Sequence, residues 1–163
     1  AYKEKNLLQS RTSSRSQRVY QEIKKRLKII PDSLIQILVD SSIEEQKHIL
    51  WFIVCKKYRF IREFAIEVVH EKFLAMKSSL EDIDFDGFFI KKADWHPELN
   101  EITLSTKTKL RTVLFRMLRE AGLLSEKNLI IPAILTKKTI DIIKSDQTIG
   151  FHIFPVYSEI GEE

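Results

Sequence analysis

Only four glycines and four prolines interrupt this 163-residue chain. A turn-rich β fold needs such residues roughly every 8–12 positions, so their scarcity favours long helices. Helical periodicity does recur along the chain. Hydrophobic residues make up 44% of the sequence and charged residues 31%, enough for a soluble globular chain with a proper core. The expected fold class is all-α: a compact multi-helix single domain over 1–163, with helix-turn-helix-like elements and short extended segments near the C-terminus.

The periodicity places the elements. A short helical piece is read at 2–8, with Leu7 and Leu8 as its apolar face. A basic helix follows at about 13–29 and stops before Pro31, which restricts the residue ahead of it. Pro31-Asp32 opens a short helix to about 40. Ser42-Ile43-Glu44-Glu45 is a capping box that starts a helix at about 43–57. The next, at about 59–77, is expected to carry Phe60, Phe64, Val68 and Phe73 inward. Further helices are read at about 83–94, 106–121 and 137–145, with Gly122 closing the second of these. Residues 128–135 read as extended, and 148–157 as apolar and β-favouring. The stretch 158–163 reads as a frayed tail.

Charge is distributed unevenly. Residues 1–28 hold nine lysines and arginines against Glu4 and Glu22, a balance of +7. Residues 29–163 hold 18 basic against 21 acidic, a balance of −3, so the overall +4 hides a polarised molecule. Concentrated basic charge draws a protein toward polyanions. On the helical wheel Tyr20, Ile23, Leu27 and Ile30 form one buried stripe, and Arg11, Arg15, Arg18 and Lys25 recur on another face, with Lys24 and Lys28 nearby. Thr12, Ser13 and Ser14 sit where an N-cap belongs. Arginines and short hydroxyls at a helix N-terminus can grip phosphate, and such contacts carry no base information directly, so little sequence preference is expected. A solvated basic face is the plainer reading. Against it, interleaved acids are nearly absent, whereas an ordinary exposed helix supports itself with Glu–Lys pairs four apart.

The helix at 106–121 echoes this pattern. Leu110, Val113, Leu114, Met117 and Ala121 read as its buried stripe, and Lys107, Lys109, Arg111, Arg116 and Arg119 as exposed charges opposed only by Glu120. With helix 83–94 before it and an extended stretch after it, this reads as a second helix-turn-helix-like unit. The connection from Trp95 to Leu104 is long for a tight turn.

Other chemistry is poorly represented. The glycines at 87, 122, 150 and 161 form no phosphate-cradling cluster, and the four histidines lack metal-ligand spacing. His70-Glu71 reads as a helix-surface dipeptide. Asp82-Ile83-Asp84-Phe85-Asp86-Gly87 matches the first half of a calcium loop, but Ala93 stands where the bidentate glutamate belongs, so carboxylates at a helix N-terminus are the preferred reading. Trp51, Phe52, Tyr58, Phe60 and Phe64 could stack bases, yet their helical spacing says core first. The single Cys55 lies in the apolar run 49–55, looks buried, and makes a poor nucleophile. One cysteine also suits a reducing, cytoplasmic location. That run is seven residues long, against roughly 20 for a membrane span. The chain opens at Ala1 without a methionine, which leaves open whether the native N-terminus lies further upstream.

Several ordered segments together resemble the BrxA family. They are Lys5-Asn6-Leu7-Leu8-Gln9-Ser10-Arg11-Thr12 with the arginine-rich helix after it, Asp94-Trp95-His96-Pro97-Glu98-Leu99, and the stretch 106–124. The resemblance spans about 4–145. BrxA proteins belong to bacteriophage exclusion (BREX) operons, in which a methyltransferase marks host DNA and unmarked phage DNA is blocked. The resemblance implies an all-helical NusB-like fold, helix-turn-helix elements, double-stranded DNA binding and no enzymatic activity. Family members carry about one more helical segment ahead of the first match, so the resemblance implies a further helix for the first helix-turn-helix that this sequence does not include.

The reading is therefore a non-catalytic, cytoplasmic double-stranded DNA-binding accessory protein. It needs no cofactor, metal, membrane or small-molecule substrate, and other BREX subunits are candidate partners. Arg11, Arg15 and Arg18 are the first candidates for phosphate or base contact, with Ser13 and Ser14 as cap and phosphate donors and Lys24, Lys25 and Lys28 adding attraction. Lys107, Lys109, Arg111, Arg116 and Arg119 form the second patch. Two rivals stand beside it: a scaffold docking another BREX subunit, and NusB-like RNA binding.

Overall fold

A computed structural model describes residues 13–157. Among them the chain is all-α, with two isolated antiparallel bridges, Ser79 to Leu129 and Leu124 to Ile130, in place of any sheet. It divides into two compact units, Ala1–Asp40 and Ser41–Glu163.

The first unit contains α1 (Ser13–Leu27) and α2 (Asp32–Val39). Beyond Leu27 the backbone tightens, with Ile29 N donating to Arg26 O and Ile30 N to Leu27 O. Pro31 then stands outside α2 as its N-cap, with extended backbone (φ −69°, ψ 153°). Ile30 and Leu34 are buried. The rest of the expected α1 stripe is only partly covered: Tyr20 and Leu27 are half-buried and Ile23 is exposed.

The second unit is built around α3 (Ile43–Lys57). Ser42 caps it reciprocally with Glu45, satisfying two orphan donors of the first turn. Of residues 49–55, only Leu50 is exposed; a helix apolar on every side belongs in the middle of a core. The helix after Tyr58 is not uniform. It runs as α4 (Arg59–Phe64), a π-helical segment (Ala65–His70) and α5 (Glu71–Leu74). The wider π turn returns the chain to the same face after about five residues. That register brings Phe64 and Ala65 into line with Val69 and His70, all buried, while Phe60, Val68 and Phe73 are only half-buried. The expected inward set was therefore right at Phe64 and shifted beyond it.

His70 is a correction. It is 1% exposed, with Nδ1 2.8 Å from the Phe154 carbonyl oxygen and its ring edge-on to His152 at 4.9 Å. The π turn rotates it inward, where regular helical spacing would leave it on the surface.

Helix α6 (Asp82–Ala93) sends Phe85, Phe88 and Phe89 against Phe60 and Phe64, with ring centroids 5.1–6.3 Å apart. Trp51, Phe52 and Phe64 are buried and Tyr58 and Phe60 half-buried, so the aromatic set serves the core. A 3-10 turn (Pro97–Glu101) leads to α7 (Leu104–Glu120). Gly122 follows with φ 75°, the left-handed conformation that a side chain would strain. After α8 (Lys137–Ser145), the expected β-favouring stretch forms a strap rather than a strand. A 3-10 turn (Phe151–Ile153) lets the Ile153 carbonyl accept from Trp51 Nε1 at 2.8 Å, and Ile149, Ile153, Phe154 and Val156 are buried.

Candidate nucleic-acid interface

Helix α1 begins at Ser13, with no acidic residue in its first turn and Lys24, Lys25 and Arg26 in its last. Residues 13–28 carry Arg15, Arg18, Lys24, Lys25, Arg26 and Lys28 against Glu22 alone. Glu22 lies 3.6 Å from Arg26, its neighbour one turn on. Among the described residues no carboxylate pairs with Arg18, Lys24, Lys25 or Lys28, and Ser14, Arg15, Arg18, Lys24, Lys25 and Lys28 are all exposed. Arg11 and Thr12 lie outside the described residues, as does the side chain of Ser13. An open depression runs along α1, lined by Ser14, Gln17, Arg18, Gln21, Glu22 and Lys25. Those positions recur at spacings of three and four, so they share one face. Gln17 and Gln21 were missed by counting charge, although their place on the same face as Arg18 and Lys25 was there to be read.

The second patch is different in kind. Lys107 lies 2.9 Å from Asp86 and sits over the Phe89 ring at 5.1 Å. Arg111 reaches Asp82 at 2.9 Å and Asp86 at 3.6 Å. Arg119 donates to Asn128 Oδ1 and lies 4.0 Å from Glu126, and Arg116 lies 3.7 Å from Glu120. Lys109 is exposed, with no ion pair among the described residues. The expectation of charges opposed only by Glu120 is thus corrected. So is the stripe: Leu114, Phe115, Leu118 and Ala121 are buried, whereas Leu110 and Val113 are 40% and 39% exposed. The helix is turned so that Lys107 and Arg111 continue the inward face toward α6, leaving Leu110 and Val113 outside.

The carboxylates that do this belong to the calcium-like sequence. Residues 82–87 lie in α6, where Asp84 accepts from Glu81 N at 2.7 Å and pairs with Lys72 at 2.5 Å. Acid groups at a helix N-terminus are favoured by the exposed amides there. Among the described residues no group of three or more His, Cys, Asp or Glu side chains could hold a metal ion. Burial pushes the Cys55 thiol well above its ordinary pKa. Burial also lowers His48 and His70. No helix among the described residues is long and apolar enough to cross a membrane.

The BrxA family model matches residues 1–147. A protein named BREX protein BrxA from Bacillus cereus (strain H3081.97) is 34% identical over 122 residues. That alignment takes in 75% of this chain and 61% of the relative, so the chain spans under two thirds of the relative's length. In three dimensions the fold is similar to an uncharacterized protein from Magnetospirillum magneticum, with a TM-score of 0.75 at 19% identity. The similarity covers 88% of this chain and 74% of the other.

Proposed function

This chain belongs to the BrxA family, and on that basis we propose that it is a non-catalytic, double-stranded DNA-binding component of a BREX phage-defence system. One observation carries the reading: Arg18, Lys24 and Lys25 of α1 stand exposed with no carboxylate paired to them among the described residues, while the cations of α7 are largely paired. Unpaired cations along one helix face match the regular phosphates of a duplex, and each phosphate neutralised releases a condensed counterion. The start of α1 adds the positive end of the helix dipole. The α6–α7 pair, followed by the bridge between Leu124 and Ile130, is read as a helix-turn-helix-like element with a small wing. Its cations mostly serve its own packing, so it ranks second as a contact surface. A thiol that burial keeps protonated is no poised nucleophile, which agrees with a binding role.

The test is a titration of duplex DNA at several salt concentrations. Four to six neutralised phosphates give a log–log slope of about −4 to −5. A slope near zero, or no binding at about 50 mM salt, would sink the proposal. Competition by duplex RNA at equal strength would move the protein to RNA. Retention by another BREX subunit at salt that abolishes DNA binding would favour a scaffold.

A further inference from the structure

We infer that α1 is a base-reading helix, and that Gln17, Arg18 and Gln21 select a sequence in the major groove of duplex DNA. The inference rests on the DNA-binding reading above and adds specificity to it. The face along the open depression is not simply basic. Gln17, Arg18 and Gln21 occupy its middle, with Ser14 toward one end and Lys25 toward the other. All five are exposed, and among the described residues neither glutamine has a hydrogen-bond partner.

The chemistry of these three side chains is that of base recognition. A glutamine amide offers a donor and an acceptor side by side, matching N7 and the 6-amino group of adenine. A guanidinium forks onto O6 and N7 of guanine. A helix body fits the major groove, whereas the minor groove is too narrow for it. From residue 14 to residue 25 the face is 11 steps long, about 16 Å at 1.5 Å per residue, the length over which a helix meets four or five base pairs.

Charge complementarity commits the occupant. Six basic residues against one acidic residue in 13–28 favour a polyanion, and Arg15, Lys24 and Lys28 are exposed beside the strip to hold the backbone. Glu22 also borders the depression, with Arg26 at 3.6 Å. Glutamine amides can also bond phosphate, but only against a base edge do their paired donor and acceptor distinguish one sequence from another. Phosphate contacts set affinity and register, and the amides supply what those contacts lack.

The experiment is selection of bound duplexes from a randomised library, followed by titration of the enriched sequence and a scrambled one. The wild-type chain is expected to prefer the enriched sequence by roughly tenfold or more. Gln17→Ala/Gln21→Ala should cut that preference by roughly fivefold or more while leaving the salt slope unchanged, because no charged contact is removed. Alanine is the better helix former, so circular dichroism should show α1 intact. Arg18→Lys should lower the preference by a larger factor than it lowers affinity for scrambled DNA, since the charge stays and the fork goes. Tight binding with nothing enriched, or enrichment that both variants retain, would overturn base reading and leave the DNA-binding proposal standing. Absence of binding to any duplex would overturn both.

Discussion

Helices α1 and α7 look alike in the sequence and differ in what surrounds their charges. Each is amphipathic and carries several cations with few acids of its own. On α1 the one local acid is taken by Arg26, and the other cations face outward. On α7 the partner acids come from elsewhere in the chain: Asp82 and Asp86 from α6, and Glu126 from the turn after Gly122. A helical wheel sees only its own helix, so it reports both as basic faces. Pairing also changes exposure. The Lys107, Arg111 and Arg119 side chains are 21%, 22% and 27% exposed, whereas Arg116, paired only along its own helix, is 63% exposed.

The largest expected effect follows directly. Arg15→Ala/Arg18→Ala/Lys25→Ala should weaken duplex binding by roughly 100-fold at low salt and make the salt slope shallower by about 2.7, near 0.9 for each lost phosphate contact. Lys109→Ala/Arg116→Ala should cost less than about threefold. If the α7 pair proves the costlier, the two helices exchange roles, and equal losses would mean one continuous surface.

Acid should separate the regions next. Burial lowers the pKa of His48 and His70 below the ordinary 6.5. As pH falls the unfolded chain takes up these protons first. The stability they contribute is therefore present above pH 6.5 and is lost as pH drops through that value toward the folded pKa values. The loss is at most about 1.4 kcal/mol per pH unit for each histidine. A second decline should begin as pH falls through the ordinary glutamate value of 4.5. Burial opposes ionisation of Glu63 and Glu67, but bonds from Lys92, Arg59 and Lys91 outweigh it and hold both pKa values down. Urea melts at about pH 7.5 and 5.5 measure the first step. His70→Gln should flatten it, and an unchanged slope would mean that His70 is not the buried titrating group.

Arg119 offers a smaller contrast. Its guanidinium donates to Asn128, which holds a left-handed backbone (φ 58°) at the turn joining the two bridges. Arg119→Ala should destabilise the second unit by about 1 kcal/mol, the usual worth of such a bond. Arg18→Ala, on an exposed face, should stay within about 0.5 kcal/mol of wild type. Thermal melts of the two single variants give the comparison, and equal losses would place Arg18 in the packing of its own unit.

Most of the fold was legible because the signals were local. The capping box at Ser42, the apolar run at 49–55, the stop before Pro31 and the left-handed Gly122 each fix an element end or a core from neighbouring residues. What could not be read came from distant partners. Nothing near His70 announces a π turn, and nothing on α7 says that its cations will meet acids 21 to 29 positions earlier. Gln17 and Gln21 belong to the legible class. A count of charges passes over them, although spacing alone places them on the basic face.

The smallest effect probes the pairing itself. Asp82→Asn/Asp86→Asn removes two negative charges and releases Lys107 and Arg111 from the only carboxylates that oppose them among the described residues. If pairing is what silences α7, its cations should then reach phosphate, raising duplex affinity by roughly threefold and steepening the salt slope by about one. The substitution also takes charge from the start of α6, where each acid is worth about 0.3–1 kcal/mol, so some loss in melting temperature is expected. Binding is therefore measured well below the transition, with the Arg15→Ala/Arg18→Ala/Lys25→Ala chain alongside. A gain in both backgrounds makes α7 a latent second contact held in check by α6. No gain in either means that α7 stays clear of the duplex whatever its charge, and that α1 alone sets the affinity.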